Sequence, residues 1–267
     1  MIRDITLGQY YDARSPIHRL DPRSKILGTI VYIVALFLVE SWLGFAVAIL
    51  GLALVTALSK VPLSFILRGM KPILFILIFT FCLNIFMADG RILWQWKFLK
   101  VTDEGVHIAI FMAVRLILLI IGSSLLTLTT KPISMTDGLE KLLRPMSYVG
   151  MPAEYIAMTM SIALRFIPLL LEETDKIMKA QQARGADFET GNIFRRAKAL
   201  VPILVPLFIN TFRIAEDLAM AMEARCYHGG PGRTRMNAIA FSWIDCVFGF
   251  CLVCFLAVII TFKIMGI

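Results

Sequence analysis

Apolar runs separated by brief polar punctuation dominate the chain. Ile26 to Val39 and Trp42 to Leu58 are two such runs, divided by the pair Glu40-Ser41. A third is Pro72 to Ala88, a fourth Val106 to Thr130, and the last Ala238 to Thr261. A bilayer crossing takes about 20 apolar residues. The pattern therefore predicts five membrane spans, the first two short enough to borrow flanking residues or to tilt. Asp89 to Glu104 is a polar hairpin carrying Trp94, Trp96, Lys97 and Lys100, the composition of an interfacial anchor.

Residues 131–237 are too long for a connector and too apolar for a disordered loop. Met135 to Ser147 reads as a short amphipathic helix at the surface. Pro152 to Arg184 and Asn192 to Arg225 each carry a long helical pattern, with Pro168 inside the first and Pro202 and Pro206 inside the second. At 1.5 Å per residue each helix is about 50 Å long, against a hydrocarbon core of about 30 Å. Their apolar blocks, Ile156 to Leu171 and Leu200 to Ile209, are interrupted by charge and proline. They read as helices lying along or just under the membrane, with their second halves projecting into the cytoplasm. The rival reading is two further spans. The chain thus divides into 1–130 (a lead-in and four spans), 131–237 (a cytoplasmic or interfacial domain of two long helices) and 238–267 (the last span). The fold class is an all-α polytopic membrane protein.

Composition agrees: 58% of the 267 residues are hydrophobic, the mean hydropathy is +0.79, and 17% are charged, where a soluble domain has about 25%. Placement of charge sets orientation. With the N-terminus in the cytoplasm, 22 of the 27 Lys and Arg fall inside and four outside. The expected location is a bacterial cell membrane, multi-pass, with the N-terminus cytoplasmic. No signal peptide opens the chain, so the first span is expected to direct insertion. Asp21-Pro22 reads as the N-cap and first residue of a helix, and the surrounding run, residues 15–25, as a helix start with a basic anchor.

Several chemistries are missing from the sequence. It has no G-x-x-x-x-G-K-[ST] phosphate loop and no metal-ligand spacing among His18, His107 and His228. Cys251-Leu-Val-Cys254 sits within an apolar run and reads as packing. Glu172-Glu173 lacks the arginine and histidines that an intramembrane protease of the CAAX type places around such a pair. No cofactor, catalytic residue or nucleic-acid partner is expected. Two ionisable residues, Arg115 and Asp245, fall inside spans, where unpaired charge is expensive. They are expected to pair with one another, or each elsewhere in the bundle, in a structural role.

The second halves of the two long helices hold the informative pattern. Leu170, Leu171, Thr174, Ile177, Met178 and Gln181 form one stripe, and Ile214, Ala215, Leu218, Ala219 and Met222 another. One helix ends Ala183-Arg184-Gly185, the other Ala224-Arg225-Cys226. An arginine near a helix C-terminus followed by a small residue is ordinary capping. Its repetition 41 residues later suits two matched plugs for two matched sockets, each offering a planar guanidinium to a carboxylate in a groove.

Over nearly its whole length the chain resembles the transmembrane T component of energy-coupling factor (ECF) transporters, ABC-type importers of vitamins and trace nutrients. The resemblance rests on the run His18 to Lys25, on Leu164-Arg165-Phe166-Ile167-Pro168, and on the two Ala-Arg-small endings, with Cys226 departing from the glycine of the first. It implies a non-enzymatic coupling scaffold. Two cytoplasmic ABC-type ATPases, which bind the ATP and Mg, would take the tips formed by residues 183–185 and 224–226. A membrane-embedded, substrate-binding S component would lie against Ile156, Met160, Leu164, Pro168, Leu204 and Phe208. The alternative is a stand-alone permease with its own substrate path.

Overall fold

The computed structural model describes residues 10–87, 92–96, 99–143, 145, 153–188, 192–228 and 241–265. The chain forms two compact units: Thr6–Lys141 with Ile239–Ile267, and Leu142–Ala238.

In the first unit, side chains fix where each helix begins. The short helix α1 (Pro16–Arg19) starts on Ser15, whose hydroxyl accepts from the His18 amide. α2 (Pro22–Leu38) starts on Asp21, which accepts from the Arg23 amide at 2.9 Å, with Pro22 supplying a preset φ where no amide is needed. Ser41 caps α3 (Trp42–Ser59) through the Gly44 amide at 3.1 Å, so the tight Glu40-Ser41 break is a stop and a cap in two residues. α4 (Leu63–Met87) begins well before the expected run and takes Arg68 and Lys71 into the helix. The hairpin β1 (Ile92–Trp96) and β2 (Leu99–Thr102) pairs antiparallel, with Trp94 opposite Val101. It is the small strand addition to a helical fold. Thr102 then caps α5 (Asp103–Thr129), and Asp103 and Glu104 in its first turn suit the positive end of the helix. α6 (Pro132–Leu143) starts three residues earlier than expected, and it is more than a surface helix. Its Gly138 lies so close to α2 that an added Cβ would come within 2.8 Å of Pro22. α9 (Trp243–Met265) completes this unit.

α2, α3, α5 and α9 share a core of Ala35, Leu36, Phe45, Ala48, Leu125 and Ile259. Lipid tails are as apolar as leucine, so close packing holds such helices together more than expulsion from solvent does. Gly122 of α5 shows how close: the Tyr32 ring of α2 occupies the place of its missing side chain, 2.5 Å from where a Cβ would stand.

The second unit is a helix pair, α7 (Ala153–Ala183) and α8 (Ile193–Glu223). Among the described residues, five helices are long and apolar enough to cross a membrane: α3, α5, α9 and most of α7 and α8. The number equals the expected one, but the membership differs. α2 is 17 residues long, the described apolar stretch of α4 is Ile73–Phe86, and α7 and α8 qualify despite their prolines.

Candidate docking site

The two Ala-Arg-small endings have the same backbone closure. After α7, the Gly185 amide donates to Gln182 O at 2.9 Å and the Ala186 amide to Gln181 O at 3.0 Å. After α8, the Cys226 amide donates to Glu223 O at 2.8 Å and the Tyr227 amide to Met222 O at 3.1 Å. Each is a Schellman motif, the paired closure that satisfies the last carbonyls of a helix. Each puts arginine next to the small residue, which takes the left-handed position; Ala183 is the last residue of α7, and Ala224 directly follows the last residue of α8. Gly185 holds φ +87° and Cys226 φ +54°. The departure at Cys226 therefore leaves the second cap unchanged in form. Its cost is conformational, since a side chain at positive φ crowds its own backbone.

All six tip residues, Ala183, Arg184, Gly185, Ala224, Arg225 and Cys226, are exposed. Neither Arg184 nor Arg225 has a side-chain partner among the described residues. Two planar cations are thus held on rigid helix ends with their donors free.

Two contacts orient the helices that carry them. Gln181, three residues before Arg184, donates to the Pro202 carbonyl at 3.4 Å. That carbonyl is available because Pro206, four residues on, has no amide to give it. At the other end, the Tyr227 hydroxyl lies 2.7 Å from the Met158 sulfur. The end of α7 meets the early part of α8, and the end of α8 meets the start of α7. The pair is antiparallel, and its tips stand at opposite ends, about 35 Å apart by the helical rise from residue 202 to residue 225.

Between these contacts, Ile214, Leu218 and Met222 of α8 are half-buried, as are Leu170, Leu171, Thr174, Ile177, Met178 and Gln181 of α7; Ala215 and Ala219 are exposed. Ala157 and Ile203 are buried. Of the residues expected to face a membrane partner, Ile156, Met160, Pro168, Leu204 and Phe208 are exposed and Leu164 is half-buried. Phe208 at 61% and its neighbours Ile209 and Phe212 leave α8 with a broad uncovered apolar face.

Arg115 and Asp245 do not meet. Arg115 Nη2 donates to Val39 O, the cap of α2, at 2.6 Å, and its guanidinium lies about 6 Å from the Phe45 and Phe111 ring centres. It places a cation on the negative end of a helix and on aromatic faces. Asp245 is in the first turn of α9, not seven residues deep, because that helix starts at Trp243. One carboxylate oxygen accepts from the Ser242 amide at 2.8 Å and the other from the Asp21 amide at 2.8 Å.

The sequence reading missed what stands beside it. Lys25 is 6% exposed, and its amino group donates to Thr129 O at 2.8 Å and His18 O at 3.4 Å. His18 bonds Ser15 Oγ at 2.7 Å and Tyr11 O at 2.9 Å. The run from 15 to 25 is a buried polar clasp joining the lead-in, α2, the end of α5 and the start of α9, where a helix start with a basic anchor was expected. The density of capping residues and titratable groups in that run was the available signal.

Residues 13–237 match the family model described as CbiQ, cobalt transport protein. The chain is 56% identical over 253 residues to the energy-coupling factor transporter transmembrane protein EcfT of Clostridium kluyveri, covering 94% of both chains. It is 52% identical to the protein of that name from Ruminiclostridium cellulolyticum, over 92% of both chains. Against that of Bacillus subtilis it is 46% identical, over 92% of this chain and 93% of the relative.

Proposed function

The chain belongs to the CbiQ family of cobalt transport proteins, and from that membership we propose that it couples ATP hydrolysis in two partner ATPases to substrate uptake. It is a transmembrane component of an ECF-type transporter, not an enzyme. In this reading ATP and Mg are bound by the partners. One ATPase takes Arg184 with its flanking Ala183 and Gly185, and the other takes Arg225 with Ala224 and Cys226. A membrane-embedded S component rests on the exposed apolar residues of α7 and α8, including Ile156, Met160, Leu204 and Phe208. The N-terminus and both tips lie in the cytoplasm.

The observation that carries this reading is the matched pair of tips. Two arginines with identical caps and free donors, about 35 Å apart along an antiparallel helix pair, suit two like sockets better than one. Small residues on either side let a partner backbone approach, and a guanidinium takes a carboxylate by two parallel hydrogen bonds. Arg184→Glu and Arg225→Glu are each expected to weaken co-purification of the ATPases, and the double variant to abolish uptake in vesicles. ATPases that co-purify undiminished with the double variant would overturn the proposal.

A further inference from the structure

The bundle of α2, α3, α5 and α9 encloses a cavity of about 490 Å³ that the coupling role does not use. That volume lies within the roughly 300–1,000 Å³ of small-molecule sites. Its walls are almost wholly apolar, and Leu50, Leu54 and Val247 on its rim are 69%, 57% and 48% exposed, so one side is open to the surroundings of the bundle. The four walls share one end. Lys25 on α2, Leu58 on α3, Thr129 on α5 and Ile244 on α9 all line the cavity, and all lie at the lead-in end of their helices. From Ile244 to Phe255 the lining reaches about 16 Å inward.

Charge gathers at that same end. Leu20 and Leu58 both line the cavity; Arg19 precedes the first, and Lys60 follows the second by two residues. Both cations are exposed, and neither has a partner among the described residues. Two helical turns in from Lys25, the Tyr32 hydroxyl is buried without a hydrogen-bond partner. Tyr32 also lines the cavity. A buried hydroxyl of this kind lacks an acceptor, and leaving it so is unfavourable.

We infer that the cavity is a binding site for a single anionic glycerophospholipid. One acyl chain fills the apolar slot, the phosphate lies at Arg19 and Lys60, and an ester carbonyl accepts from Tyr32. The occupant has to be amphipathic because the slot is apolar along its length and cationic at one end only. It has to be anionic because the exposed groups at that end are free cations.

Gly51 supplies the test. It lines the slot, and a Cβ added there meets nothing closer than the Phe255 ring at 3.5 Å, an ordinary contact. Gly51→Leu therefore fills the slot without forcing the backbone. The full chain, purified in detergent and washed free of bulk lipid, is expected to yield phospholipid on extraction. Its melting temperature should rise more with dioleoyl phosphatidylglycerol than with dioleoyl phosphatidylcholine. Gly51→Leu should lose both the retained lipid and the difference between the two. Lys60 holds φ +56°, so Arg19→Gln with Lys60→Asn, asparagine tolerating that conformation, should lose the preference for phosphatidylglycerol. Washed wild-type chain free of phospholipid, or equal shifts by the two lipids, would overturn the site and leave the slot to a partner's helix. So would a Gly51→Leu chain that retains as much lipid as wild type. If Gly51→Leu does not fold, the two-lipid comparison on wild type and on the charge variant decides the matter.

Discussion

Gly185 and Cys226 do the same geometric work at different conformational cost. A non-glycine residue in the left-handed region costs roughly 1–2 kcal/mol, and glycine returns part of that through its larger entropy loss on folding. A Cβ at 185 would meet no atom within 4 Å, so substitution there acts through the backbone alone. Cys226→Gly is expected to steady its cap by up to about 1 kcal/mol, and Gly185→Ala to loosen the other by a similar amount. Amide hydrogen exchange at Tyr227 and Ala186, whose N–H groups close the two caps, reads the change locally as about a fivefold slowing in the first variant and a fivefold acceleration in the second. The tips were legible in the sequence because an arginine before a small residue, repeated on two helices, survives as a pattern in one dimension. That Cys226 would adopt the glycine's conformation was not, since cysteine has no preference for it. Of the two expectations for Arg115 and Asp245, the structure matches the second, each group finding a partner elsewhere in the bundle, with Asp245 in the first turn of its helix accepting from the Ser242 amide.

At the scale of elements, stripes and caps were readable and contacts between distant elements were not. Hydrophobic spacing marked residues that are half-buried in α7 and mostly so in α8, and Asp21-Pro22 marked the start of α2. Pro202 and Pro206 weighed against a span and not against the helix, and α8 runs 31 residues through both. One carbonyl they set free is taken by Gln181 from the neighbouring helix, a compensation that no local window contains. The clasp around Asp245 joins segments 224 residues apart and was invisible for the same reason. Its strength is open to test. Asp245→Asn keeps one oxygen acceptor but loses the charge, and it turns either the Asp21 or the Ser242 amide toward a donor. A loss of about 1–3 kcal/mol is expected, the cost of leaving a buried amide unsatisfied. Thermal melting in detergent measures it; a variant as stable as wild type would mean that the clasp does not hold α9 to α2.

For the whole molecule, the lead-in ties stability to pH. His18 has its pKa lowered, first by burial and then by the nearby Lys25 amino group, against an opposing hydrogen bond to Tyr11 O and the pull of Asp12. A base with a depressed folded pKa leaves the unfolded chain binding more protons in the window between the two values. Stability from this group is therefore in full force above the ordinary histidine pKa of about 6.5 and lost as pH falls through the folded value. Melting temperature should fall on acidification below about pH 6.5, and more steeply for the wild type than for His18→Gln, which carries no proton to gain. Five spans, a polar hairpin and a pair of long helices were all present in the hydropathy pattern. That α7 and α8 are long and apolar enough to cross a membrane stood only as the rival reading.

The antiparallel setting of α7 and α8 has a mechanical side. The described bonds near their ends are slight, a 3.4 Å amide contact and a hydroxyl on a sulfur, and the apolar residues between them are mostly half-buried. A load on either arginine acts with a lever arm of about 17 Å, half the separation of the tips. In the proposed coupling role, two partners that draw the tips together turn α7 and α8 in opposite senses, so a closing movement at the ends reaches the middle of the pair as a relative rotation.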